Sequence, residues 1–187
     1  MSIVIGVCGF SGAGKSTFCR EMARRFRLPL LSTGEVVRRE VVARGHALTP
    51  ESIVRVSEEI RRETGRRFVR ILEPDLRADF LAAPAVLLDC LREESDLLAL
   101  REMSYRVVLV AVAAADDVRA ARALTRSRPG DPTGTAGLQA LQETERRLGV
   151  DRLVAGADHV LGNDGDLDSF LARSAAVVEE ILGTADR

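Results

Sequence analysis

Between Gly9 and Thr17 the chain reads GFSGAGKST, and Lys15 within it is the only lysine among 27 basic residues. Gly9, Gly14, Lys15 and Ser16 fall in the spacing G-x-x-x-x-G-K-S, the pattern of a loop whose backbone N–H groups surround a polyphosphate. Glycines at 9, 12 and 14 permit the torsions and the close approach that a Cβ would block. An ammonium is a compact point charge that can reach over such a loop to the β and γ phosphates, whereas a planar, forked guanidinium has the wrong shape for that space. This explains why a chain that otherwise relies on arginine keeps one lysine here. Ser16 carries the hydroxyl expected on Mg²⁺, and Thr17 is placed to bond the α phosphate. The predicted donor site is Gly9, Gly12, Ala13, Gly14, Lys15, Ser16 and Thr17, with ATP and Mg²⁺ as cofactors.

Such a loop works only between a buried strand and a helix, and the flanking sequence supplies both. Ile3 to Cys8 (IVIGVC) is a short β-branched apolar run, which predicts a strand buried on both faces. A helix is predicted from about Lys15 to Arg27, adding the positive end of its dipole to the loop. Leu28 to Leu31, Ala85 to Leu88, Val107 to Val112 and Ala157 to Leu161 are further strand-length runs. Helical stretches fall between them, at Thr33 to Ala43, Ser52 to Glu63, Leu138 to Leu148 and Leu167 to Leu182. Thr49, Pro50 and Glu51 read as a helix start. Continuous apolar strands separated by helices imply a parallel sheet covered on both faces. The predicted fold is therefore a three-layer α/β domain of about five strands. RPGDPTGTAG, between Ser127 and Gly137, reads as a surface loop.

The chain has 187 residues, 46% hydrophobic and 29% charged, which suits one globular domain. Its net charge of -1 argues against nucleic acid or an anionic membrane as partner. The longest apolar run, Val107 to Ala115, is about half of a membrane span, and no basic region precedes an apolar one at the N-terminus, so a cytoplasmic location is expected. Cys8, Cys19 and Cys90 lack metal-binding spacing, and His46 and His159 stand apart from them.

A phosphate loop is shared by kinases, GTPases, motors and transport ATPases. No NKxD-like motif and no DxxG after a strand points to a GTPase, and Cys90 follows Asp89 where large ATPases carry a second acidic residue. LSTGEVVR at residues 31–38 resembles the STGD-x-x-R segment of adenylate kinases and related nucleoside monophosphate kinases. That resemblance implies that Thr33 and Gly34 lie against an acceptor nucleotide and that Arg38 binds its phosphate. Asp89-Cys90-Leu91-Arg92 is similar to the DGFPR of the same family in its Asp and Arg, implying that Asp89 organises the magnesium shell and Arg92 grips the acceptor. Arg119, Arg122, Arg126 and Arg128 run into RSRPGDP, the place of the lid in these kinases, and Arg146 or Arg147 follows. The implied catalytic set is Lys15, Arg122, Arg126 and Arg128, since phosphoryl transfer needs cations over the equatorial oxygens.

Across nearly the whole chain the order of these segments, with TPESIVRVSEEIRRETG and ADHVLGNDGDLD, resembles a group of small P-loop proteins described as adenylate-kinase-like or dephospho-CoA-kinase-like. That resemblance adds Arg61 to the acceptor side, giving Thr33, Gly34, Arg38, Arg61 and Arg92. It also implies an acceptor-covering helical segment at about 33–80 and a short lid at about 126–137. Asp96 stands where adenylate kinases place a base-reading glutamine, and a carboxylate there would suit cytosine or guanine. The expected activity is transfer of the γ-phosphoryl group of MgATP to a small phosphorylated acceptor, foremost a nucleoside monophosphate, by a monomer or homodimer. A kinase of a hydroxyl acceptor and an ATP-dependent binding module are the alternatives.

Overall fold

The computed structural model describes residues 2–89, 91–125 and 134–183, so Cys90, Arg126 and Arg128 lie outside the described residues. Five parallel strands, β1 (Ile3–Cys8), β2 (Leu30–Ser32), β3 (Ala85–Asp89), β4 (Arg106–Ala113) and β5 (His159–Gly162), form one sheet in the order β2-β3-β1-β4-β5. Strand β1 is central and buried throughout. Its side chains alternate between two cores: Ile3, Ile5 and Val7 enter one, Val4 and Cys8 the other. Both faces of the strand therefore need covering, which is why it reads as continuously apolar.

On the first face lie α1 (Lys15–Phe26) and α9 (Leu167–Gly183), whose Phe18, Met22, Phe170, Val178 and Ile181 pack on the Ile3, Ile5 and Val7 side chains. The second face is covered by α4 (Glu73–Asp79), α5 (Glu94–Glu102), α8 (Val150–Ala155) and a 3₁₀ turn at Phe68–Leu72, through Leu72, Leu76, Leu100 and Leu153. A third, smaller core of Val37, Val41, Val56, Ile60 and Phe68 joins α2 (Thr33–Ala43) to α3 (Pro50–Glu63). Helix α3 begins with a capping box, Thr49 and Ser52 exchanging bonds, and with a proline in its first turn. Arg44 ties α2 to α3 through Glu40, Glu59 and Glu63. Two further helices among the described residues, α6 (Asp116–Thr125) and α7 (Gly134–Leu148), pack on each other beside the carboxyl end of β4.

Asp89 is level with Val7 of β1 and Ser32 of β2 in the strand register. The glycine loop that follows β1 therefore stands between the ends of β3 and β4, where ligands bind in open α/β sheets. No helix among the described residues is long and apolar enough to cross a membrane.

Candidate active site

Gly14 caps α1 with φ +107°, and no side chain caps the helix. A Cβ at Gly14 would lie 2.2 Å from the Asn163 amide nitrogen, so both the torsion and the space require glycine. The amides of Thr17 and Phe18 already turn back to the Gly14 carbonyl. Those of Lys15 and Ser16 precede any intrahelical acceptor and, with the helix dipole behind them, suit an anion. Lys15 is only 8% exposed, and its Nζ donates to the Phe10 carbonyl at 3.0 Å, which places the ammonium across the mouth of the loop.

Ser16 Oγ donates to Asp89 Oδ2 at 2.9 Å, so the hydroxyl and the carboxylate expected to serve a metal meet although 73 residues separate them. Asp89 is 7% exposed, and its Oδ1 is buried without a hydrogen-bond partner among the described residues. A buried, unpartnered carboxylate oxygen beside a serine hydroxyl fits Mg²⁺, a hard cation that keeps several waters and substrate oxygens. No group of three or more His, Cys, Asp or Glu suited to a metal occurs among the described residues. A cation here would therefore take most of its oxygens from substrate and water.

Thr33 begins α2, and its Oγ1 donates to the Asp89 carbonyl at 3.3 Å. One turn on, Arg38 Nη1 bonds Glu35 Oε1 at 2.9 Å and would stand 3.4 Å from a Cβ at Gly34, so Thr33, Gly34 and Arg38 share one patch. Arg92, three residues beyond Asp89 in the chain, is half-buried. Arg61 is buried and engaged within the protein: its Nε bonds Glu93 Oε1 at 2.6 Å, its Nη1 bonds Glu58, and its guanidinium lies over Phe68. Arg61 thus secures α3 to the segment that carries Arg92, and breaking so buried a pair costs about 3–5 kcal/mol.

Arg122 Nη1 donates to the Asn163 carbonyl at 2.8 Å. It lines a cleft of about 320 Å³ with Gly14, Thr17, Asn163, Gly165 and Leu167, on the Thr17 side of the loop. Arg119, grouped with it in the sequence, is buried and serves the scaffold, bonding Ala114, Ser11 and Asp116. Asn163 is a site residue that the sequence reading missed. Its side chain donates to the Ala13 carbonyl at 2.7 Å, joining the end of β5 to the loop. The Asn-Asp-Gly-Asp run after an apolar strand was the available signal.

Asp96 is 4% exposed, and its carboxylate accepts from the Val69 N–H at 3.1 Å, closing the 3₁₀ turn. Its carboxylate is engaged in the fold rather than held out toward a base. Burial pushes its carboxyl up from 3.8 to about 6; the Val69 bond opposes that shift and the neighbouring Glu93 adds to it. Between these values the unfolded chain releases a proton that the folded chain keeps, so stability falls as pH rises through the window, and the full cost stands above it. Asp96→Asn is expected to stabilise the protein at pH 7.5 by roughly 1–3 kcal/mol, with the gain gone by about pH 4. Urea unfolding at both pH values checks this; an equal difference at the two would contradict it.

A family profile described as an AAA domain matches residues 8–138. A UPF0200 protein of Thermococcus gammatolerans is 30% identical over 99% of this chain and 98% of its own length. One from Aeropyrum pernix is 33% identical over 94% of this chain and 93% of its own. Among solved structures, shikimate kinase from Acinetobacter baumannii in complex with shikimate superposes with a TM-score of 0.57, at 15% identity, over 98% of this chain and 94% of that one. Sequence matched over 99% of the chain, with the fold superposed on that of a kinase, shows that the chain belongs to the UPF0200 family and carries the P-loop kinase fold.

Proposed function

We propose that this protein transfers the γ-phosphoryl group of ATP to a small phosphorylated acceptor, foremost a nucleoside monophosphate. The observation that carries the reading is Asp89: its carboxylate meets Ser16 of the glycine loop, and its carbonyl meets Thr33 at the head of the arginine-bearing helix. One residue thus joins the donor elements to the acceptor elements. Lys15 and the amides of residues 14–16 hold the triphosphate, with Gly9, Gly12 and Ala13 shaping the loop and Thr17 at its α-phosphate end. Arg122 closes the nucleotide cleft, and Arg38 and Arg92 grip the acceptor phosphate, their segment secured by Arg61. Arg126 and Arg128, outside the described residues, supply the remaining positive charge in this proposal.

Ser16 and Asp89 would hold Mg²⁺, which when bound neutralises charge on the transferring phosphate. No side chain need form a covalent intermediate, because an acceptor oxygen aligned with the γ phosphate reacts in line.

A second reading, a kinase of a hydroxyl acceptor, is favoured by one observation. Arg38 is paired with Glu35, and Arg61 with Glu93 and Glu58, so these acceptor-side cations already have carboxylate partners. The shikimate-bound kinase of like fold is an example of such chemistry. A screen of nucleoside monophosphates, dephospho-CoA and shikimate with MgATP, read by ADP release and product mass, separates the readings. A phosphorylated nucleoside monophosphate is the expected product. A product only from the hydroxyl acceptors would favour the second reading, and ADP plus inorganic phosphate without an acceptor product would contradict both.

A further inference from the structure

Ser11, inside the glycine loop, has all its polar groups engaged from outside it. Its N–H donates to Glu145 Oε2 at 3.0 Å, its Oγ donates to Glu145 Oε1 at 2.8 Å, and its carbonyl accepts from Arg119 Nη1 at 3.4 Å. Glu145 comes from α7, 134 residues away in sequence, and is 1% exposed. The neighbouring residues are held from the same side. The Phe10 ring has the Arg119 guanidinium at 4.8 Å and that of Arg146 at 5.9 Å. A Cβ at Gly12, where φ is +84°, would stand 2.3 Å from the Arg119 carbonyl. The front of the loop, residues 10–12, is thus fastened to α6 and α7, while its rear, residues 14–16, keeps the amides that α1 leaves open.

A buried carboxylate on a loop that must receive a triphosphate is unfavourable in charge, since like charges in a low-dielectric site repel. Its hydrogen-bond geometry offsets that cost: one carboxylate satisfies both the N–H and the hydroxyl of Ser11, which would otherwise be buried and free to turn. Fixing a flexible loop before binding removes an ordering cost from binding itself.

We infer that Glu145 is a positioning residue of the donor site, holding Ser11 so that the loop is already shaped for the triphosphate. This rests on the reading of residues 9–17 as the ATP site. The test is calorimetric titration of the full chain with magnesium and a non-hydrolysable ATP analogue, beside thermal melts of each variant. Glu145→Ala is expected to raise Kd for the analogue by about 10-fold or more. Glu145→Gln, whose amide can accept from the Ser11 N–H and donate to its Oγ, is expected to stay within about 3-fold of wild type. If the alanine variant does not fold, Ser11→Ala replaces it, with an expected rise of about 3-fold from loss of the hydroxyl bond alone. In turnover the rise should appear in KM for ATP and leave KM for the acceptor unchanged. A lower melting temperature with unaltered nucleotide affinity would overturn the inference, as would a glutamine variant as weak as alanine. Absence of binding by the wild type would overturn the donor-site reading itself, a distinct failure.

Discussion

Replacing Lys15 with alanine is expected to lower kcat/KM for MgATP by about 10³-fold or more while leaving the melting temperature little changed. The ammonium is 8% exposed and, among the described residues, bonds the Phe10 carbonyl. That carbonyl also accepts from the Ala13 N–H, so the turn it closes survives the change. What is lost is a fixed positive charge in a water-poor site, where it is worth far more than in solution. Lys15→Arg is the sharper variant, because it keeps the charge and changes the shape. In a chain that carries arginine at every other basic position, it should recover less than about a tenth of wild-type activity. Steady-state kinetics with the acceptor found by screening checks both, and near-full activity in either would remove Lys15 from the donor site.

Asp89→Asn is expected to lower turnover by about 10²-fold and to raise the magnesium concentration needed for half-maximal rate. Its stability should move the other way. Among the described residues Oδ1 of Asp89 is a buried carboxylate oxygen without a partner, and such an atom costs about 1–3 kcal/mol in the fold. An amide that still accepts from Ser16 Oγ relieves the burial of charge, so the melting temperature should hold or rise. A residue kept at a cost to stability, with activity lost on its removal, marks a site rather than a scaffold. Equal loss of activity and stability, with an unchanged magnesium requirement, would assign Asp89 to the fold alone.

How much was legible in the sequence follows from how local each signal is. The glycine loop declares itself within nine residues, because the torsions, the close approaches and the point charge all fall on consecutive positions. The strands were legible for a similar reason: β1, β3 and β4 are buried on both faces and so are continuously apolar. Edges and short helices were less so. Strand β2 is only three residues long and half-exposed, running Leu30–Ser32 where Leu28 to Leu31 was expected. Helices α4, α5 and α8 are 7, 9 and 6 residues long, too short for a clear helical period. Glu145 and Asn163 reach the loop from 134 and 150 residues away; nothing near Glu145 distinguishes it from surface polar residues, and Asn163 is marked only by the Asn-Asp-Gly-Asp run that it opens. The resemblance to adenylate kinases likewise implied that Asp96 lies near a base, whereas its immediate partner is the Val69 N–H of a turn 27 residues earlier.

Arginines were the least legible class. Arg38, Arg61, Arg119 and Arg122 look alike in sequence, yet two are buried and two are not. Arg61 spans two elements through Glu93, while Arg119 grips the loop through Ser11 and Phe10. Guanidinium groups with five donors serve scaffold and site equally well, and only the partners tell them apart.

The most direct measurement is a crystal structure with magnesium and a non-hydrolysable ATP analogue. The triphosphate is expected against the amides of Gly14, Lys15 and Ser16, with Lys15 Nζ on the β and γ phosphates and the metal between Ser16 and Asp89. A nucleotide bound elsewhere, or a loop that stays closed to it at saturating concentration, would contradict the proposed donor site.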